Sequence, residues 1–235
     1  MITLGELYRT LALTVLNNTS VVTDDKMDIE DDKKPYILAF VNEGITRLHS
    51  RFPLKTKTLY LEMREGRTEY PLLSKYSFMG FKPELADYPY IRDTPANPFK
   101  DDVIKILVVY DNKGNRRGLN DNHNPNGLFT PRPDTIQCIR PRHCEVFAVS
   151  YQAKHPVITG EDTEQEIDVP DTLIPALKYW VAYGYYTGLN TAESTGKAAE
   201  YLQMYEAICK EVVDYDLGNS SESNTNTLFE KRGWI

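Results

Sequence analysis

The sequence is poor in cysteine, in positive charge and in long apolar runs, and each shortage excludes something. Three cysteines, Cys138, Cys144 and Cys209, are too few and too odd in number for a disulfide framework, so a chain made in a reducing cytoplasm is expected. Lys and Arg total 27 against 34 Asp and Glu, a formal net charge of -7. Such an acidic chain is not a general binder of nucleic acid or of anionic membrane. No apolar run approaches the roughly 18–20 residues of a membrane-crossing helix. The start, Met1-Ile2-Thr3-Leu4-Gly5-Glu6, has no basic leader, so no secretory signal is expected.

Motifs of chemistry are scarce too. There is no Gly-rich phosphate loop and no nucleophile elbow. Ser194-Thr195-Gly196-Lys197 matches Ser-x-x-Lys but reads as a helix cap and a surface lysine. Cys138, His143, Cys144 and His155 lack the spacing of a zinc site, and Cys138 sits in an apolar strand, where a free cysteine packs as a small hydrophobe. Asn122 to Gly127 mimics a calcium loop. Its oxygens are neutral, however, and Pro133 falls where a bidentate Glu belongs, so an Asn-rich turn is the better reading. Arg132, Arg140 and Arg142 lie among prolines and suit an intersubunit ion pair or a solvated rim better than a phosphate site. The expectation is no catalytic residue, no cofactor and no metal. An enzyme using acids among Asp93, Asp101 and Asp102, acting on carbohydrate or peptidoglycan, stands as the less favoured alternative.

The 235 residues suit one large domain or two small ones. A 41% hydrophobic share implies a modest core with much polar loop. Aromatics are skewed to 16 Tyr, with 8 Phe and 2 Trp. Tyrosine pairs a large apolar face with a hydroxyl and is frequent in subunit contacts, though strands also favour it.

Periodicity orders the chain as helices, strands, helices. Thr3 and Glu6 make a capping box for a helix carrying Leu4, Leu7, Tyr8, Leu11, Ala12 and Val15. A charged run from Asp24 to Lys34 reads as a solvated loop. Asp32 and Pro35 then open a second helix, which Phe52-Pro53 stops. Leu59, Leu61 and Met63 alternate as a strand, and Glu65-Gly66-Arg67 reads as a hairpin turn into Thr68 to Leu72. Residues 75–100 form a long irregular loop. Val103 to Tyr110 is the clearest strand, and short strands follow near Leu128, Thr135 and Glu145. Asp171 or Thr172 can cap a helix with Pro175 in its first turn, and a second helix from about Glu193 to Asp216 completes an antiparallel pair. A polar tract from Asn219 to Thr227 leads to Leu228, Phe229, Trp234 and Ile235, four large apolar residues that suit a docking peptide on a tether.

The expected fold is α+β: a helical bundle from N- and C-terminal helices, an inserted antiparallel β-sandwich-like domain and an extended C-terminal tail. The boundaries are 1–55, 56–169, 170–217 and 218–235.

Segment order carries a resemblance. A helix pair, then Gly-x-x-x-Tyr-Pro-Leu from Gly66 to Leu72, Phe129-Thr130-Pro131-Arg132-Pro133-Asp134, Val149 to Pro156, and Val169 to Gly184 together resemble head-to-tail adaptors of short-tailed bacteriophages, the connector or tail tubular protein A group. Ala198, Ala199, Tyr201 and Tyr205 fill the place of that family's last helix. The resemblance implies a structural virion protein in the tail or neck, made in the host cytoplasm. It implies a ring of copies, commonly twelve, between portal protein and tail nozzle protein, with double-stranded DNA passing through unbound and no membrane partner. Subunit contacts would then fall on Tyr183, Tyr186, Tyr201 and Tyr205, and tail docking on Leu228, Phe229, Trp234 and Ile235. A nozzle or minor tail protein of the same particle is the alternative.

Overall fold

Chain order is helix, sheet, helix. The elements are β1 (Ile2–Thr3), α1 (Leu4–Leu13), α2 (Lys34–Arg51), β2 (Thr56–Glu62), β3 (Glu69–Pro71), β4 (Ser77–Phe78), β5 (Ile91–Arg92), β6 (Val103–Tyr110), β7 (Arg116–Arg117), β8 (Leu128–Arg132), β9 (Thr135–Cys138), β10 (Val146–Ala153), β11 (Glu166–Ile167), α3 (Ile174–Leu189) and α4 (Ala192–Asp214). The structure, a computed structural model, describes residues 2–25, 27–79, 89–93, 98–124, 126–142 and 145–215. The fold is α+β, as expected. Contacts divide the chain into unit 1, residues 1–44 with 159–235, and unit 2, residues 45–158. One boundary falls inside α2.

Unit 1 begins with the capping box. The Thr3 N–H donates to Glu6 Oε2 at 3.0 Å and the Glu6 N–H to Thr3 Oγ1 at 3.2 Å, satisfying donors that a helix start leaves orphaned. α1 buries Leu4, Leu7, Tyr8, Leu11 and Ala12. β1 pairs antiparallel with β11, and the Leu4 and Gly5 N–H groups donate to the carbonyls of Gln165 and Thr163. The charged run before α2 is organised by Lys34, which pairs with Asp28 at 3.3 Å and Asp31 at 2.7 Å. Neither Asp171 nor Thr172 caps α3. Residues 171–173 form a 3-10 turn, the N-cap is Leu173, and no side chain caps it. Pro175 in the first turn needs no N–H partner, which lessens the need for a cap. α4 starts one residue early, at Ala192, on a Thr191–Ser194 capping box. Asn190, at φ 51, turns the chain between the two helices. α2 and α3 approach closely through glycines: Gly184 lies against the Phe40 ring and Gly44 against Leu177 and Trp180.

Unit 2 holds a six-stranded sheet of order β4-β5-β2-β10-β6-β7 and a three-stranded sheet of order β3-β9-β8. All pairs are antiparallel except β4 with β5. Leu59, Leu61, Phe147, Val149 and Val109 from the larger sheet share one core with Tyr70, Ile136, Cys138 and Leu128 from the smaller, which is sandwich-like packing. The expected hairpin between residues 59–63 and 68–72 does not form. β2 pairs with β10 and β5, and β3 pairs with β9. Gly66 does turn the chain, at φ +79. The Tyr70 hydroxyl then accepts from the Arg64 N–H at 2.9 Å and donates to the Arg67 carbonyl at 2.7 Å. These bonds draw the loop over the smaller sheet instead of back along β2. The Gln152 side-chain amide, buried on β10, donates to the carbonyls of His49 and Phe52 and so ties the end of α2 to the sheet.

Candidate interaction surfaces

The C-terminal helices meet through an aromatic seam. Helical spacing puts Tyr179, Tyr183 and Tyr186 of α3 opposite Tyr201 and Tyr205 of α4. Tyr201 stacks on Tyr186 at 5.5 Å and on Tyr179 at 6.1 Å between ring centroids. Trp180 lies 5.1 Å from Tyr183 and 5.2 Å from Tyr205. Lys197 sits over the Tyr186 ring at 5.5 Å, a cation–π contact. Burial, the largest cause in each case, pushes the Tyr186 and Tyr201 phenols upward, so both stay neutral at ordinary pH. Tyr205 is fully buried within its own chain and Tyr186 nearly so. Tyr183 and Tyr201 keep accessible area. The exposed side of α4 carries Glu193, Glu200, Glu206, Glu211 and Asp214 against Lys197 and Lys210. Leu228, Phe229, Trp234 and Ile235 lie outside the described residues.

The acids singled out in the sequence each accept hydrogen bonds within unit 2. Asp102 pairs with Lys57 at 2.5 Å and accepts from the Tyr151 hydroxyl at 2.9 Å. Burial first, then Asp102, pushes the Tyr151 phenol upward. Asp101 accepts from both the N–H and the hydroxyl of Ser74. Asp93 accepts from the Phe99 N–H at 3.1 Å. Asp102 fixes a loop to β2 and β10, while Asp101 and Asp93 hold non-strand segments to one another. Cys138 is buried, and burial raises its thiol; His155 packs its ring 5.3 Å from that of His49. His143 and Cys144 lie outside the described residues. No group of three or more metal-binding side chains occurs among the described residues. In the Asn-rich loop, Asp121 and Asn124 accept from the N–H groups of His123 and Asn126, which is turn chemistry. Arg132 reaches Glu69 at 3.9 Å, and Arg140 and Arg142 are exposed.

Two features escape the sequence. Arg67 is enclosed by aromatic rings, 4.3 Å from Tyr90, 5.0 Å from Tyr76 and 5.8 Å from Tyr70. Tyr90 donates its hydroxyl to the Pro71 carbonyl at 2.5 Å. The Gly66–Leu72 stretch supplies Arg67 and Tyr70, while the nearest ring, Tyr90, comes from well beyond it. The second feature is a groove of about 400 Å³ in unit 2. β6 supplies Ile104, Lys105 and Ile106 on one side, and the β8 turn supplies Thr130 to Pro133 on the other. A further hollow in unit 1 holds Glu6, Asp28 and Glu164 with Arg9 and Lys34, and Lys34 pairs with Asp28 within it.

No helix among the described residues is long and apolar enough to cross a membrane. The family model for the SU10 adaptor protein matches residues 2–227, nearly the whole chain. No curated protein matches it.

Proposed function

The chain belongs to the SU10 adaptor protein family, phage structural adaptors and not an enzyme class, and on that premise we propose that it forms the ring joining portal to tail in a short-tailed phage particle. The match over residues 2–227 carries the reading. Its partners are further copies of itself, the portal protein and the tail nozzle protein. Twelve copies would form the ring. Double-stranded DNA passes through the ring without specific binding. A net charge of -7 suits such a conduit, since a wall that repels phosphate does not hold the genome.

In this reading the helices of unit 1 carry the subunit contacts. Tyr183 and Tyr201 offer their accessible edges to a neighbour, while Tyr186 and Tyr205 stiffen the pair from beneath. The segment carrying Leu228, Phe229, Trp234 and Ile235 is the docking tail.

The test is native mass measurement of the protein mixed with purified portal, alongside imaging of particles. A ring stacked on portal supports the proposal. Absence from particles, with no portal association, overturns it. Binding to the tail tube but not to portal makes the protein a minor tail component.

A further inference from the structure

β6 has one complete neighbour and one partial one. It pairs with β10 along its length, but with β7 only at Val109 and Tyr110. From Val103 to Val108 its outer edge meets no other strand among the described residues. An open edge exposes unpaired N–H and C=O groups and is a template for another strand. Register shifts skip Ile104 and Leu107, and Lys105 is exposed between them. Bulges and an edge lysine keep such a strand from pairing indiscriminately. They leave it selective instead of closed.

The groove lies beside this edge. Its apolar walls are Ile104, Ile106, Leu119, Pro131 and Pro133. Two cations, Lys105 and Arg132, line it, and no carboxylate does, in a chain whose acids outnumber its bases. The far wall offers side chains more than main chain. Prolines have no N–H, and the Thr130 N–H already donates to Asn120 Oδ1 at 2.9 Å. The volume, about 400 Å³, falls within the roughly 300–1,000 Å³ of sites that enclose a ligand. An extended segment fits this chemistry: main-chain bonds to β6, apolar side chains toward the prolines and isoleucines, and an acid near Lys105 and Arg132.

The chain carries such a segment. Thr225-Asn226-Thr227-Leu228-Phe229-Glu230 combines strand-forming residues, two adjacent apolar anchors and an acid. From Asp216 to Glu230 the only charged residues are Asp216, Glu222 and Glu230, all of the sign the groove lacks. Residues 216–228 reach about 43 Å when extended.

We propose that residues 225–230 of one copy add along the β6 edge of a neighbouring copy, with Phe229 against the apolar wall of the groove and, on the alternate face of the added strand, Glu230 beside Lys105 and Arg132. This rests on the ring reading. In a closed ring each copy gives one segment and receives one, so the exchange leaves no groove empty.

The experiment uses the full chain with Phe229→p-benzoylphenylalanine, mixed with heavy-nitrogen-labelled copies, assembled on portal and irradiated. The expected cross-links join position 229 of one isotope to residues 103–108 or 130–133 of the other. Lys105→Glu with Arg132→Glu should lower their yield about fivefold, as two exposed charge pairs are lost. Both residues are on the surface, and circular dichroism checks that the double variant folds. An assembled ring with cross-links elsewhere, within one copy only, or undiminished by the double variant overturns the inference and leaves the ring standing. Failure of any ring to form, read by mass in the same sample, overturns the functional reading itself.

Discussion

Gly44 and Gly196 both lie inside helices, and the same substitution should move stability in opposite directions at the two. A β-carbon at Gly44 would sit 2.7 Å from Leu177 Cδ1 and 2.8 Å from Trp180 Cδ1. At Gly196 nothing lies within 4 Å. Alanine gains about 1 kcal/mol over glycine in a helix interior, and Gly196→Ala should show that gain in full. At Gly44 the methyl must displace a buried indole, since Trp180 is only 4% exposed. Overpacking of this kind costs about 1–3 kcal/mol. Propensity offsets part of it, so Gly44→Ala should be neutral to about 2 kcal/mol less stable than the parent. The gap between the variants isolates the clash, about 1–3 kcal/mol. Urea unfolding followed by far-ultraviolet circular dichroism measures it. The two units can unfold in separate steps, so the comparison belongs to the unit 1 transition. If Gly44→Ala proves as stabilising as Gly196→Ala, the close approach of α2 to α3 is wrong.

Three further outcomes are expected. Burial, helped by Asp28, pushes the Tyr8 phenol up to about 12, and burial likewise raises Tyr70, Tyr90 and Tyr151. Keeping these phenols neutral stabilises the fold below the unfolded value near about 10, and the contribution is lost as pH climbs from there through about 12. Phenolate absorbance should rise in two phases, the second coinciding with unfolding; a single phase with the fold intact would contradict the burial. Asp102→Ala strands the Lys57 ammonium and the Tyr151 hydroxyl and should cost about 2–4 kcal/mol, whereas Tyr151→Phe should cost about 1 kcal/mol. Equal losses in denaturant would mean that the ion pair adds nothing to the hydroxyl bond. Thr3→Ala removes one half of the capping box and should destabilise unit 1 by about 1 kcal/mol, read from the same unfolding curves.

What could be read from sequence was local. The Thr3–Glu6 cap, the buried stripe of α1 and the β-branched run of β6 each depend on neighbours within a few positions, and each formed as expected, except that α1 ends at Leu13 and leaves Val15 beyond it. Pairing was another matter. β2 and β3 looked like two arms of one hairpin because Gly66 supplies a turn. Their actual partners, β10 and β9, lie far along the chain, where periodicity carries no information about register. The same limit hid the Arg67 cluster and the groove. Arg67 reads as an ordinary turn cation until Tyr76 and Tyr90 are folded over it. The groove draws on positions from Ser50 to Gln152. The α3 cap failed for a different reason, since a 3-10 turn and Pro175 already supply what a capping side chain would.

The bonds from Leu4 and Gly5 to Gln165 and Thr163 also set a timetable. All of unit 2 is synthesised between the two ends that these bonds join. At about 5–20 residues per second, a ribosome needs roughly 8–32 s to travel from Gly5 to Thr163. Over that interval α1, with its face of Leu4, Leu7 and Leu11, has no β11 to join. The segment made earliest is therefore among the last to settle, since its partner strand is made only after unit 2.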